Sequence, residues 1–232
     1  MCGRYTLAAP DPAAVRARFA LEESVEVRRR YNIAPGDEVL AVTTGREGHR
    51  RGEQLHWGLV PSWAKSPDTG LKMINARLET VTERPAFRAA FERYRCLIPA
   101  DGFYEWQVTG TGRKQPFHIT RSDGALFAFA GLWSIWHRPD GGDTLRTCTI
   151  LTRAANAAVA PLHDRMPVIL RASDETDWLD IGTPPDRLRE ILAGLPAADT
   201  ALTEVGLAVN DAHYDGPECL APPLPDPQGS LF

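Results

Sequence analysis

The chain has 232 residues, 43% hydrophobic and 24% charged, which suits a globular protein with one sizeable buried core. A net charge of −4 excludes a protein whose overall field alone attracts nucleic acid, but the charge is uneven. Residues 1–121 carry 19 Lys and Arg against 14 Asp and Glu, whereas residues 122–232 carry 7 against 16, so a local basic groove would come from the first half.

In chain order, Pro12 to Leu21 predicts a short helix, and Glu38 to Val42 and Glu53 to Val60 predict strands. Glu79 to Tyr94 has a helical pattern, with Phe87, Ala90, Phe91 and Tyr94 on one face and Pro85 either in its first turn or interrupting it. Strands follow at Cys96–Pro99, Gly102–Val108, Pro116–Thr120, Leu126–Trp136 and Thr147–Leu151, with turns at Gly110-Thr111-Gly112 and Asp123-Gly124. Ala154–Ala160 predicts a small helix and Met166–Leu170 a strand. Two further helices are expected at Thr176–Asp180 and Pro185–Leu195, and a last strand at Leu202–Val209. The proline-rich tail, residues 216–232, either wraps the surface or is disordered. These elements predict an α+β single domain over residues 1–215, with a curled, barrel-like, mostly antiparallel sheet and peripheral helices.

No stretch is long and apolar enough to span a bilayer. Arg4, Pro10 and Asp11 interrupt the place of a secretion signal, so a cytoplasmic protein without membrane contact is expected. The four cysteines (Cys2, Cys96, Cys148, Cys219) lack metal-ligand spacing, and neither zinc nor a disulfide is expected.

Cys2 follows the initiator Met1. Once Met1 is removed, Cys2 carries an α-amine and a thiol on one residue. The amine (pKa about 7.7–8.0) condenses with an aldehyde to an imine, and the thiol closes a thiazolidine ring on it. Three further segments set polar residues among apolar ones: Ile74-Asn75-Ala76-Arg77-Leu78-Glu79-Thr80, Ile98 to Trp106, and Pro161 to Leu170. Glu105 lies between Tyr104 and Trp106, where burial would raise its pKa, although strand alternation equally suits a surface carboxylate. His163 suits a proton shuttle or a ring hydrogen-bonded to Asp164 or backbone, and Asn75 suits a substrate-orienting or loop-capping amide. Arg4, Arg77 and Arg165 flank the reactive segments as candidate phosphate contacts, or are solvated surface charges. Trp63 is a candidate base-stacking residue and Thr152 a weaker phosphate contact. Trp57, Trp133 and Trp136 read as core, and Arg28-Arg29-Arg30 either joins the groove or, the simpler reading, faces water.

With Arg30-Tyr31-Asn32-Ile33-Ala34-Pro35, Trp57-Gly58-Leu59-Val60-Pro61-Ser62-Trp63, Val209-Asn210 and Glu218-Cys219-Leu220, these segments resemble the SOS-response-associated peptidase family, also called abasic-site processing proteins, from Cys2 to about Pro222. The resemblance implies that family's α+β fold and a DNA-damage protein that binds single-stranded DNA. It implies crosslinking of the N-terminal Cys2 to the aldehyde of an abasic site, shielding the lesion from strand cleavage. Cys2, Asn75, Glu105 and His163 would be catalytic, and Arg4, Trp63, Arg77, Thr152 and Arg165 DNA-binding. No cofactor or metal is implied, and a monomer is expected. Peptidase activity would be confined to release of Met1, by self-processing or by a housekeeping aminopeptidase. The alternative is an N-terminal-nucleophile amidohydrolase, which shares the opening Met-Cys-Gly and uses the thiol as nucleophile.

Overall fold

The apolar runs are rich in β-branched and aromatic residues. In the computed structural model, which describes residues 2–8, 11–22, 24–45, 48–110 and 112–224, they form the strands of two packed sheets. The strands are β1 (Tyr5–Leu7), β2 (Arg30–Ile33), β3 (Glu38–Thr44), β4 (Arg50–Trp57), β5 (Asn75–Arg77), β6 (Arg95–Ala100), β7 (Gly102–Val108), β8 (Lys114–Arg121), β9 (Phe127–His137), β10 (Thr144–Ala154), β11 (Arg165–Pro167), β12 (Ile169–Leu170) and β13 (Thr200–Glu204). Short helices α1 (Pro12–Phe19), α2 (Pro85–Arg93), α3 (Glu175–Leu179) and α4 (Pro185–Ile191) lie at the periphery.

Five strands close into a barrel. β3 pairs antiparallel with β4 from Glu38↔His56 to Thr44↔Arg50, and β4 pairs parallel with β10 at Thr147↔His56 and Cys148↔Trp57. β10 pairs antiparallel with β9, β9 with β6, and β6 returns to β3 through Val42↔Leu97. The second sheet runs β13-β8-β7-β1-β2. Tyr5 and Phe103, paired across β1 and β7, both project from it onto the barrel. Tyr5 meets Trp57 and Phe129 edge-on at 5.3 and 5.5 Å between ring centroids, and Phe103 meets Phe129 at 6.3 Å. Such pairs stabilise by about 0.5–1.5 kcal/mol each beyond the area they bury. The α+β single domain expected from the sequence is therefore the observed fold, with its curled sheet fully closed.

Several expected boundaries move for identifiable reasons. β4 stops at Trp57, not at Val60. Gly58 turns to φ +142°, and a Cβ there would lie 2.8 Å from the Gly70 carbonyl oxygen. The helical pattern of Glu79–Tyr94 becomes a 3-10 turn (Leu78–Thr80) followed by α2, with Pro85 in the first helical turn. Tyr94, placed on the buried face by its spacing, caps α2 and is 43% exposed against Trp133. Residues 154–160 do not form a helix. Ala154 ends β10, and Asn156 Oδ1 accepts from the amides of Ala158 and Val159, turning the chain before Pro161. Met166–Leu170 splits because Val168 pairs with Leu151 on one side and Ala130 on the other. The last strand ends at Glu204, and Leu207–Asn210 forms a 3-10 turn. Trp57 and Trp136 are core, but Trp133 is only partly buried. Of the first expected turn, Thr111 lies outside the described residues, as do residues 225–232 of the tail; residues 217–220 form a 3-10 turn that buries Cys219.

Candidate functional site

Cys2 precedes β1 and is wholly buried in the main core. Asn75, at the start of β5, donates from Nδ2 to the Cys2 carbonyl at 2.8 Å. β5 runs parallel to β10 through Ile150↔Asn75 and Thr152↔Arg77, so barrel pairing fixes where that amide points. Asn75 Oδ1 is buried and has no hydrogen-bond partner among the described residues.

Glu105 sits on β7 two residues beyond Phe103, so the period-2 pleat turns both side chains toward the barrel. It is buried, which removes the surface-carboxylate alternative. Tyr104 and Trp106 do face the opposite side, but that side is not solvent either. It is covered by Val205, Val209 and Cys219 from the C-terminal segment. Burial pushes the Glu105 carboxyl up to about 7; the positive amino terminus opposes this and Asp164 adds to it. Burial also pushes the Cys2 thiol up, and the negative charge of Glu105 adds to that shift. Glu105 thus reaches the Cys2 thiol electrostatically, and Asp164 in turn reaches Glu105.

His163 is half-buried, and burial is the largest cause lowering its pKa. Its Nδ1 lies 2.9 Å from the Arg165 amide and also 2.9 Å from Asp164 Oδ1. A neutral Nδ1 accepts from the amide, whereas pairing with the carboxylate requires a proton on that same nitrogen. The amide is fixed at the start of β11 and the Asp164 side chain is exposed, so the amide decides the tautomer and the ring proton sits on Nε2.

The five candidate DNA contacts separate into two groups. Trp63 is 64% exposed on the loop that the Gly58–Gly70 approach holds in place. Arg77 is exposed, and its side chain makes no hydrogen bond or ion pair among the described residues. Arg4 instead turns inward, donating from Nη1 to Asn32 Oδ1 at 2.8 Å and to the Val209 carbonyl at 2.9 Å. Thr152 is buried, its Oγ1 3.5 Å from the Ala76 carbonyl, so its hydroxyl does not face solvent. Arg165 is 11% exposed and already paired bidentately with Glu79 at 2.7 and 2.8 Å.

Two residues received no role in the sequence reading. Asn32 is buried and donates from Nδ2 to the carbonyls of Asp211 and Tyr214, both at 2.8 Å, locking the 209–215 segment behind β1. Glu79 lies between Arg165 and Arg77, which together lower its pKa, the bond to Arg165 most. Among the described residues no group of three His, Cys, Asp or Glu could hold a metal ion, and no helix is long and apolar enough to cross a membrane.

The family model described as SOS response associated peptidase (SRAP) matches residues 1–212. The chain belongs to that family. A curated relative, the abasic site processing protein YoqW of Bacillus subtilis (strain 168), is 40% identical over 224 residues, spanning 95% of this chain and 99% of its own. Abasic site processing protein YedK of Escherichia coli (strain K12) is 32% identical, covering 83% of this chain and 84% of its own. Abasic site processing protein HMCES of Xenopus tropicalis is 35% identical over 72% of this chain, which matches 56% of that longer protein. Among solved structures, a Bacteroides thetaiotaomicron protein superposes with a TM-score of 0.86 over 96% of this chain and all of its own, at 22% identity. A Bordetella bronchiseptica protein does so with 0.75 at 28% identity, over 89% of this chain and all of its own. The SRAP fold thus accounts for nearly the whole chain.

Proposed function

We propose that this SRAP protein processes abasic sites in single-stranded DNA by forming a covalent bond to them through Cys2, after Met1 is removed. The α-amine of Cys2 attacks C1′ of the ring-opened sugar, forming a C–N bond. The carbonyl oxygen leaves as water, giving an imine. The thiol sulfur then adds to the imine carbon, and its proton ends on nitrogen, closing a thiazolidine.

Glu105, half-protonated near neutral pH, donates the proton that ring opening and loss of water require. The buried Cys2 thiol is protonated at rest, so its proton moves to the imine nitrogen as sulfur adds, while neutral His163, with its proton on Nε2, donates a hydrogen bond to the sugar oxygen during imine formation. Asn75 holds the Cys2 carbonyl with Nδ2 and leaves Oδ1 to orient the amine or a sugar hydroxyl. Arg77 takes a backbone phosphate, and Trp63 stacks on an unpaired base beside the lesion, which favours single strands. Arg4 and Thr152 act as positioning residues, Arg4 on the segment that carries Cys2 and Thr152 beneath Arg165. The only peptide bond this site is suited to release is Met1–Cys2. The working form is a monomer in the cytoplasm, on nucleoid DNA, that keeps the lesion from strand cleavage.

The observation that supports this reading most is the Asn75 bond to Cys2 beside a carboxyl group whose pKa burial has brought to about 7. The test is a denaturing gel of Met1-processed protein with a single-stranded oligonucleotide bearing one abasic site. A heat-stable shifted band is expected for the wild type alone, absent with Cys2→Ala or with an intact base. No band from protein shown by mass spectrometry to begin at Cys2 would defeat the reading.

A further inference from the structure

Arg165 is held as a ready-made anion receptor, but the receptor is occupied. Its Nη2 donates to the Thr152 carbonyl at 2.7 Å, which anchors the guanidinium to β10. The outward edge of the group is spent on Glu79, with Nη1 to Oε1 at 2.7 Å and Nη2 to Oε2 at 2.8 Å. A carboxylate gripped by two parallel N–H bonds presents to an arginine the same fork that a phosphate diester does. The Arg165 side chain is 11% exposed while that of Glu79 is 51% exposed, so the acid, not the arginine, is the member able to leave. Glu79 stands on a three-residue 3-10 turn directly after Arg77, whose exposed guanidinium also lies within electrostatic reach.

We propose that Glu79 is a built-in competitor for DNA phosphate: a backbone phosphate reaches Arg165 only by displacing the Glu79 carboxylate, which weakens the hold on undamaged single strands. This inference rests on the single-stranded DNA reading above. Removing Glu79 therefore strengthens reversible binding, the opposite of what loss of a purely structural ion pair would do. The competitor also makes retention depend more on the covalent step at Cys2, so the protein leaves intact DNA quickly and stays at lesions.

The experiment measures reversible binding of an intact-base single-stranded oligonucleotide by fluorescence anisotropy across a salt series. The proteins are wild type, Glu79→Gln, Arg165→Ala, the double variant and Glu83→Gln, which removes one charge from an exposed position nearby. Glu79→Gln is expected to bind about three- to tenfold tighter, with a log–log salt slope steeper by about 0.7, the value for one additional neutralised phosphate on a single strand. The gain should vanish in the Arg165→Ala background, and Glu83→Gln should change affinity less than about twofold. An unchanged or weakened Glu79→Gln, a gain that survives Arg165→Ala, or an equal gain from Glu83→Gln would each overturn the inference. Wild-type adduct formation with an abasic oligonucleotide separates the two claims. If the adduct forms and Glu79→Gln gains nothing, only the competitor falls; if the wild type neither binds nor crosslinks, the functional reading falls and takes the competitor with it.

Discussion

Replacing Glu105 by Gln should make the protein more stable at neutral and alkaline pH while disabling it. The carboxyl group is buried, and its pKa rises from the ordinary 4.5 to about 7 in the folded chain, with burial as the largest cause. Below pH 4.5 the group is protonated whether the chain is folded or not, and it contributes no pH dependence. Between pH 4.5 and 7 the unfolded chain releases the proton and the folded chain keeps it, so folding stability falls as pH rises. Above about 7 both states are ionised and the loss is complete. At about 1.36 kcal/mol per tenfold change in proton affinity, the displacement from 4.5 to 7 amounts to about 3 kcal/mol. A glutamine has nearly the same shape and cannot ionise, so it escapes that loss. Urea unfolding of both proteins from pH 4 to 8.5 should show the variant gaining about 3 kcal/mol on the wild type, almost all of it between pH 4.5 and 7. A difference that stays flat with pH would mean that Glu105 ionises as an ordinary carboxylate. The proton-donating role would then lose its physical basis.

Arg77→Ala should weaken single-stranded DNA binding to a similar degree whatever the sequence, and make the salt slope shallower by about 0.7, because one phosphate contact is lost. An unchanged slope would move the phosphate contact elsewhere. Trp63→Ala should cost about 1–3 kcal/mol of binding if its exposed ring stacks on a base, and leave the melting temperature unchanged, since the ring packs on little else. A large fall in melting temperature would show instead that the ring is structural. Asn32→Ala strips the Asp211 and Tyr214 carbonyls of a buried donor and Arg4 of an acceptor, and should cost about 2–4 kcal/mol in denaturant unfolding. A cost below about 0.5 kcal/mol would mean that water replaces the amide without penalty.

What the sequence disclosed and what it hid follow from how far apart the interacting groups lie. The strand signals of β3, β7, β9 and β10 were legible because their apolar and turn residues are local. A curled, barrel-like sheet was expected from them, but which strands close it was not legible, since closure depends on the two-residue parallel pairing of β4 with β10, some ninety residues on. Alanine-rich 154–160 read as helix because propensity favours it, and the Asx turn at Asn156 with Pro161 prevailed. Glu105 looked ambiguous because alternation assigns faces without saying what covers them; here the barrel covers one face and the C-terminal segment the other. Arg4 read as a phosphate ligand because Val209, one of its two partners, is 205 positions away. Glu79 and Arg165 are likewise 86 positions apart, and only the pairings of β5, β10 and β11 bring them together. Motif resemblance supplies the candidate site residues, and the fold sorts the candidate cations into open Arg77 and occupied Arg4 and Arg165.

The central claim is that one residue supplies both amine and thiol, and the most direct measurement is the intact mass of the product with and without borohydride. Wild-type protein beginning at Cys2, mixed with an abasic single strand, should give protein plus DNA minus one water, stable to heat without a reductant. Cys2→Ser keeps the amine but lacks the thiol, and should give a stable adduct only when borohydride reduces the imine. A heat-stable adduct from Cys2→Ser without borohydride, or none from the wild type, would contradict the account.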